Sequence, residues 1–79
     1  MPKLPQVSGD RLIKLLEDLG YSVLRQKGSH VSLSKSTKIG VHHVTVPKHK
    51  IIAKGTLNDI LSKVSIWNSL SRDELIKML

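Results

Sequence analysis

The sequence predicts an α+β domain in which helices cover one face of a three-stranded sheet. Leucines recur at helical spacing near the N-terminus, apolar and polar residues alternate in the middle of the chain, and a second helical stripe follows residue 55. The hydrophobic period therefore changes from about 3.6 residues to two and back again. Because no repeat, low-complexity tract or linker interrupts the 79 residues, we expect a single domain over positions 1–79.

The first helix is predicted to begin after Ser8, a residue type whose hydroxyl group caps helix N-termini. The preceding segment, Met1–Val7, contains two prolines and is expected to be an extended lead-in. Gly20 can supply the left-handed conformation that ends the helix. The stripe that faces the core consists of residues three or four apart: Leu12, Leu15, Leu16 and Leu19.

Two strands and a tight turn are predicted next. The first strand covers Tyr21–Arg25, the turn covers Lys27–Ser29, and the second strand covers His30–Ser34. Apolar and polar residues alternate in the second strand, as they do when only one face of a sheet packs on a core. His30 falls on the polar face, so we expect its side chain to point away from the core.

The third strand is predicted over Val41–Val46, which is rich in β-branched residues and stops at Pro47. The polar stretch Lys35–Gly40 before it is interpreted as a loop. Alternation separates two sets of side chains, of which one holds His42, Val44 and Val46 and the other holds Val41, His43 and Thr45. We expect His43 and Thr45 to lie on the polar face, and we expect His42 to have a structural role.

Two further helices are predicted after a basic connector, Lys48–Lys50. A short final helix begins after Ser71, since Ser71 and Glu74 have the spacing of a capping box, and it is expected to run to the terminus. The helix before it begins near Gly55 and Thr56 and carries the apolar stripe Leu57, Ile60, Leu61 and Val64.

The charge balance points to an anionic partner. Thirteen Lys and Arg residues against six Asp and Glu residues give a formal net charge of +7, which suits RNA, DNA, an acidic protein or an anionic membrane. Tyr21 and Trp67 are the only aromatic residues, and this argues against a module that stacks several bases on exposed rings. A contact with RNA would depend on charge and shape.

Several classes of site are excluded or disfavoured. The chain has no cysteine, which excludes disulfides and cysteine-containing zinc or redox sites. His42 and His43 are neighbours on a strand and face opposite ways, with no nearby carboxylate to complete a ligand set, so we expect no metal and no cofactor. The longest apolar run, Ile51–Ala53, is too short for a signal peptide or a membrane span, and a cytoplasmic location is expected.

Five segments along the chain form an ordered set of motifs: Leu4–Gly9, Arg25–His30, Thr45–Pro47 with His49, Lys54–Leu57, and Ile60 with Leu61. In the order and spacing of these motifs, the chain resembles the HicA toxins over nearly its whole length. The resemblance implies a fold like the double-stranded-RNA-binding domain, with the order α-β-β-β-α and a short C-terminal helix. It also implies an mRNA interferase that a HicB-type antitoxin blocks. Val64–Leu70 is longer than the short Gly-containing turn that the family has between its last two helices.

The resemblance implies that His30 is catalytic, because the histidine of the family's Gly-Ser-His motif is needed for cleavage and His30 matches it. The residue type suits the chemistry. RNA carries its own nucleophile, the 2′-hydroxyl group, and an imidazole with histidine's ordinary pKa of about 6.5 exchanges protons near neutral pH. Such a reaction requires no metal.

Basic residues near the predicted catalytic histidine are expected to bind RNA. Lys27 supplies a charge, and the backbone N–H groups of Gly28 and Ser29 can approach a phosphate closely, while Arg25 is a weaker candidate. His43 and His49 could contact RNA or serve as second proton donors. The connector offers further phosphate contacts through Lys48, His49, Lys50 and Lys54.

Simpler interpretations fit the same residues. His30 could be a solvated strand residue, the lysines a solvated face, and Trp67 with Leu70 either core packing or an anchor for a partner. Two other functions also fit the charge. One is an RNA-binding module without chemistry, with the same double-stranded-RNA-binding type of fold, and the other is an adaptor that acts through protein contacts alone.

Overall fold

The computed structural model describes residues 4–79, so the first three residues of the predicted lead-in, Pro2 among them, lie outside the described residues. Within residues 4–79 no helix has both the length and the apolar character needed to cross a membrane. The elements are α1 Gly9–Asp18, β1 Ser22–Lys27, β2 His30–Thr37, β3 Gly40–Pro47, α2 Lys54–Asn68 and α3 Arg72–Met78. The strands pair antiparallel in the order β1-β2-β3, which confirms the predicted α+β class.

Helix α1 begins and ends where its sequence signals predict. The Ser8 hydroxyl accepts a hydrogen bond from the Arg11 N–H at 3.0 Å, which satisfies one of the N–H groups that the first turn leaves unpaired. Gly20 has a φ of +104°, a left-handed conformation that glycine adopts without strain. The buried side of the helix is formed by Leu12, Leu15 and Leu16.

The β1–β2 hairpin is tighter than the sequence predicts. Lys27 belongs to β1, where it pairs with His30 of β2, so the turn consists of Gly28 and Ser29. Gly28 has a φ of +60°, and a glycine with positive φ at the first position of a two-residue loop is typical of a type II′ turn. The predicted turn at residues 27–29 is therefore in the right place but one residue too long.

The predicted loop at Lys35–Gly40 is wrong. Strand β2 continues to Thr37 and β3 begins at Gly40, so the turn consists of residues 38 and 39. The Thr37 hydroxyl donates to the Gly40 carbonyl oxygen at 2.7 Å and accepts a hydrogen bond from the N–H of Ile39. These hydrogen bonds between a hydroxyl group and the backbone close the hairpin. The segment lacks the alternation of apolar and polar residues on which the strand prediction depended, so the sequence did not indicate strands here.

One face of the sheet and the inner sides of the helices form the core. The side chains of this face pack against the apolar stripes of α1 and α2, and Leu75 of α3 belongs to the same cluster. The opposite face of the sheet is left to solvent, as the alternation predicts. The buried strand residues of the core are Val31 and Leu33 of β2 with Val44 and Val46 of β3.

Helix α2 is longer at its C-terminal end than the sequence indicates. Residues 65–68 continue the helix, and Ser69 ends it with a φ of +54°. The segment Val64–Leu70 is therefore mostly helix, and a serine takes the left-handed position that glycine most often occupies. Helix α3 begins as predicted, since the Ser71 hydroxyl accepts a hydrogen bond from the Glu74 N–H.

Candidate functional site

The solvent-facing side of the sheet carries mostly polar side chains in cross-strand rows. Side chains directly opposite each other on neighbouring strands share a face and lie roughly 5 Å apart at Cβ. The sheet therefore presents a continuous surface that ends in a lysine and a histidine near the β1–β2 turn. The rows are Lys27, His30 and Pro47, then Arg25, Ser32 and Thr45, then Ser22, Ser34 and His43.

His30 is held at the start of β2 on this open face. Its neighbour Val31 is buried, and alternation therefore directs the exposed imidazole of His30 away from the core. Lys27 lies directly across the turn in the same row. The predicted orientation of His30 is confirmed, and its catalytic role stays a prediction.

Three segments that are distant in sequence meet around His30. The Lys48 N–H donates to the Ser29 carbonyl oxygen, which ties the connector to the β1–β2 turn. The Gly9 N–H donates to the His49 carbonyl oxygen at 2.8 Å, which ties the same connector to the start of α1. Backbone hydrogen bonds thus set the position of the connector beside the histidine.

The basic residues predicted to bind RNA differ in their placement. Arg25 is exposed in the next row of the open face. Lys48 lies beside the turn, but its ammonium is 3.7 Å from the Asp10 carboxylate, an ion pair that no sequence pattern indicated. Lys50 and Lys54 are exposed, and within the described part of the chain no hydrogen bond or ion pair links them to the turn. Of the residues predicted to bind RNA, those on β1, in the turn and at the start of the connector therefore lie close together.

His43 faces the open side of the sheet, as predicted, but it is far from His30. It pairs with Ser34, which lies four residues beyond His30 on β2, a separation of about 13 Å along the strand. This separation places the His43 imidazole two rows away from His30, beyond the row that contains Ser32. The structure therefore does not bring the two histidines together, and a role of His43 as a second proton donor stays a prediction.

His42 lies on the core side of the sheet in a buried polar cluster. Its Nδ1 is 2.7 Å from the Tyr21 hydroxyl oxygen, and the Asn68 amide donates to the same oxygen at 2.9 Å. The Trp67 indole stacks on the imidazole, with ring centroids 4.9 Å apart and nearly parallel planes. This arrangement agrees with a structural role for His42, whereas the hydrogen bonds had no signal in the sequence.

The surroundings of His42 favour its neutral form. Burial lowers the pKa of His42 below histidine's ordinary value, and electrostatic interactions with His43 and Lys63 lower it further. Burial raises the pKa of Tyr21 and outweighs the hydrogen bond from Asn68, so the phenol keeps its proton. A neutral His42 with an unprotonated Nδ1 can accept the hydrogen bond that this phenol donates, and the cluster is then satisfied.

Acid is expected to destabilise the fold, because the pKa of His42 is lower in the folded chain than in the unfolded chain. Below a pH of about 6.5 the unfolded chain binds a proton that folded His42 does not, so the free energy of unfolding falls by up to about 1.4 kcal/mol per pH unit. Urea unfolding between about pH 5 and pH 8 measures this slope. His42→Gln is expected to show a shallower slope, and the exposed control His49→Gln is expected to keep the wild-type slope. Equal slopes in the wild type and in His42→Gln would contradict this account.

A family model described as the HicA toxin of bacterial toxin–antitoxin matches residues 9–66. The match covers more than half of the chain and runs from the first residue of α1 into the C-terminal part of α2, so it includes the whole sheet. No curated protein and no solved structure matched the chain.

Proposed function

The chain belongs to the HicA toxin family of bacterial toxin–antitoxin systems, and from this we propose that it is an mRNA interferase with an active site built around His30. Members of this family are toxins that have an antitoxin partner, and they are generally mRNA interferases. The observation that carries the proposal is the exposed imidazole of His30 directly across a two-residue turn from Lys27. The pair offers a proton acceptor and a cation on the same open surface.

His30 is proposed to act as the general base. Its imidazole accepts the proton of a ribose 2′-hydroxyl group while that oxygen attacks the adjacent phosphorus. The bond from phosphorus to the 5′-oxygen breaks, and the leaving oxygen takes up a proton from the imidazolium or from water. The products are a 2′,3′-cyclic phosphate and a free 5′-hydroxyl group. A base of this kind contributes about 10²- to 10⁴-fold in rate.

The turn beside His30 supplies the positive charge that this reaction needs. The attacked phosphate becomes more negative in the transition state, and the Lys27 ammonium can stabilise that charge. The N–H groups of Gly28 and Ser29 belong to the turn and lie outside the register of paired strand residues, so they can donate to phosphate oxygens as well. A side chain at Gly28 would strain the backbone at its positive φ.

The nucleotides on either side of the cut are proposed to follow the flanking basic residues. Such contacts act through charge and weaken as salt concentration rises. The contribution of Lys48 to RNA affinity is expected to be small, because its ammonium also faces the Asp10 carboxylate. The surface extends along β1 through Arg25 and along the connector to the start of α2 through Lys48, His49, Lys50 and Lys54.

The proposed chemistry requires no metal, because the nucleophile belongs to the substrate and protein groups stabilise the charge. We expect the purified chain to cut a mixed RNA pool in EDTA and to leave DNA of the same sequence intact, since DNA lacks the 2′-hydroxyl group. Gel electrophoresis and end-group analysis measure cleavage and the cyclic phosphate. Cleavage that EDTA abolishes and Mg²⁺ restores, or cleavage of the DNA, would contradict the mechanism.

A HicB-type antitoxin is the proposed partner of this site. A protein that covered Lys27 and His30 would exclude RNA from the open face of the sheet. Acidic side chains on that protein would be attracted to a chain with a net charge of +7, which favours fast association. Because the proposed substrate is mRNA, we also propose that the toxin acts in the cytoplasm.

A further inference from the structure

A groove lies at the opposite end of the sheet from His30. It has a volume of about 570 Å³ and runs between the β2–β3 turn and the C-terminal end of α2. Lys35, the groove residue nearest to His30 along β2, lies five residues beyond it, so the groove and the histidine are about 17 Å apart along the strand. The groove is therefore separate from the site proposed for cleavage. Its walls are formed chiefly by Lys35, Lys38, Ile39, Ile66, Trp67 and Asn68.

The groove concentrates exposed apolar side chains. Ile66 is 70% exposed and Ile39 is 65% exposed, and these are the two most exposed large hydrophobic side chains in residues 4–79. Both line the same groove, together with Trp67, whose ring has one face stacked on His42. Clustered exposed apolar side chains mark interaction sites, because a partner that covers them removes apolar surface from water.

The walls of the groove are held in place within the chain itself. The Thr37 hydroxyl closes the β2–β3 turn, and the Lys35 ammonium donates to the Asn68 side-chain oxygen. Gly40 faces the Trp67 ring so closely that a Cβ there would lie 3.5 Å from it. A partner would therefore meet a preformed surface and would lose less free energy in ordering it.

The charges around the groove determine which kind of partner it can bind favourably. Its lining residues include Lys35 and Lys38 and no acidic residue. A second copy of this chain would bring a further net charge of +7, which opposes association. RNA would match the lysines but offers little apolar surface to cover Ile39 and Ile66. A protein segment with both acidic and apolar side chains satisfies both requirements.

We propose that this groove is a docking site for an acidic segment of the antitoxin that carries apolar side chains. The apolar side chains pack against Ile39, Ile66 and Trp67, and an Asp or Glu of the segment pairs with Lys38. The proposal rests on membership of the toxin family and not on the chemistry at His30. An antitoxin that binds the groove and also covers the active site gains affinity, because its second contact becomes intramolecular.

The test measures binding of the cognate HicB-type antitoxin, as a purified labelled protein, to the full chain and its variants. Ile66→Glu removes an apolar contact and Lys38→Glu reverses a charge. We expect each substitution to raise the dissociation constant at least about tenfold. Met78→Glu, an apolar-to-acidic control on α3 outside the groove, is expected to change it less than about twofold. Wild-type affinity in both groove variants would overturn the proposal.

Further measurements separate this proposal from other occupants. Circular dichroism and thermal unfolding check that the variants are folded, and Lys38→Glu, in an exposed turn, provides the test if Ile66→Glu does not fold. If Ile66→Glu converts a dimer into a monomer, the occupant is a second copy. If it weakens RNA binding and leaves antitoxin affinity unchanged, the occupant is RNA. Either result overturns the proposal, while cleavage of RNA by the free variants reports on His30 independently.

Discussion

Replacing His30 with alanine is expected to lower the rate of RNA cleavage by about 10²- to 10⁴-fold, the usual contribution of a general base. The substitution removes the imidazole from the open face and leaves the buried neighbours Val31 and Leu33 in place. Because His30 is exposed, the free energy of unfolding is expected to change by less than about 0.5 kcal/mol. Single-turnover cleavage of a labelled RNA measures the rate, and urea unfolding measures the stability.

The matched control for this substitution is His43→Ala. It removes an exposed imidazole from the same sheet face, two rows away from His30, and is expected to leave cleavage at the wild-type rate. RNA binding at low salt should be retained in His30→Ala. Wild-type cleavage by His30→Ala would place the active site elsewhere. A wild-type chain that binds RNA without cutting it would be a binding module, and one that binds no RNA would be an adaptor.

Replacing Gly9 with alanine is expected to destabilise the fold by about 1–3 kcal/mol. A Cβ at this position would overlap the Pro47 carbonyl oxygen and lie 2.7 Å from the Lys48 Cα, and these backbone atoms cannot rotate away. Either α1 or the connector must shift, which weakens the hydrogen bond from the Gly9 N–H to the His49 carbonyl oxygen. Because the connector borders the turn that holds His30, cleavage of RNA is expected to fall as well.

The matched control is Gly55→Ala. A Cβ there meets no atom within 4 Å, and the residue lies in the first turn of α2, so alanine is expected to leave stability unchanged or to raise it by up to about 1 kcal/mol. Urea unfolding of both variants gives the difference, and cleavage is compared under conditions in which both are folded. Equal stability of the two variants would show that the close approach of α1 to the end of β3 does not constrain the fold.

The central part of the candidate site could be predicted because it depends on patterns within a few residues. Apolar residues at positions 31 and 33 determine which way His30 points, since successive side chains of a strand alternate between faces. A glycine after Lys27 indicates the turn, because it adopts a positive φ without strain. Lys35–Gly40 has no such local pattern, because the Thr37 hydroxyl and not apolar alternation closes the hairpin.

The surroundings of the site could not be predicted in the same way. The pairing of Lys48 with Asp10 joins residues 38 positions apart, and the cluster of Tyr21, His42 and Asn68 spans an even longer stretch of the chain. Nothing in the spacing of these residues along the chain brings them together. Their contacts arise only when the helices are docked on the sheet, so no local period or motif predicts them.

By itself, the sequence determined the order of the helices and strands, the apolar sides of α1, β2 and α2 and the outward direction of His30, because these follow from spacing along a short stretch of backbone. Only the tertiary structure decided that the connector lies beside the histidine and that Ile39 and Ile66 share one groove. The reason is that such neighbours are set by how closely the packed elements approach. Gly9 allows that approach at one end of the sheet, and the extra turn of α2 up to Asn68 brings Trp67 against His42 at the other.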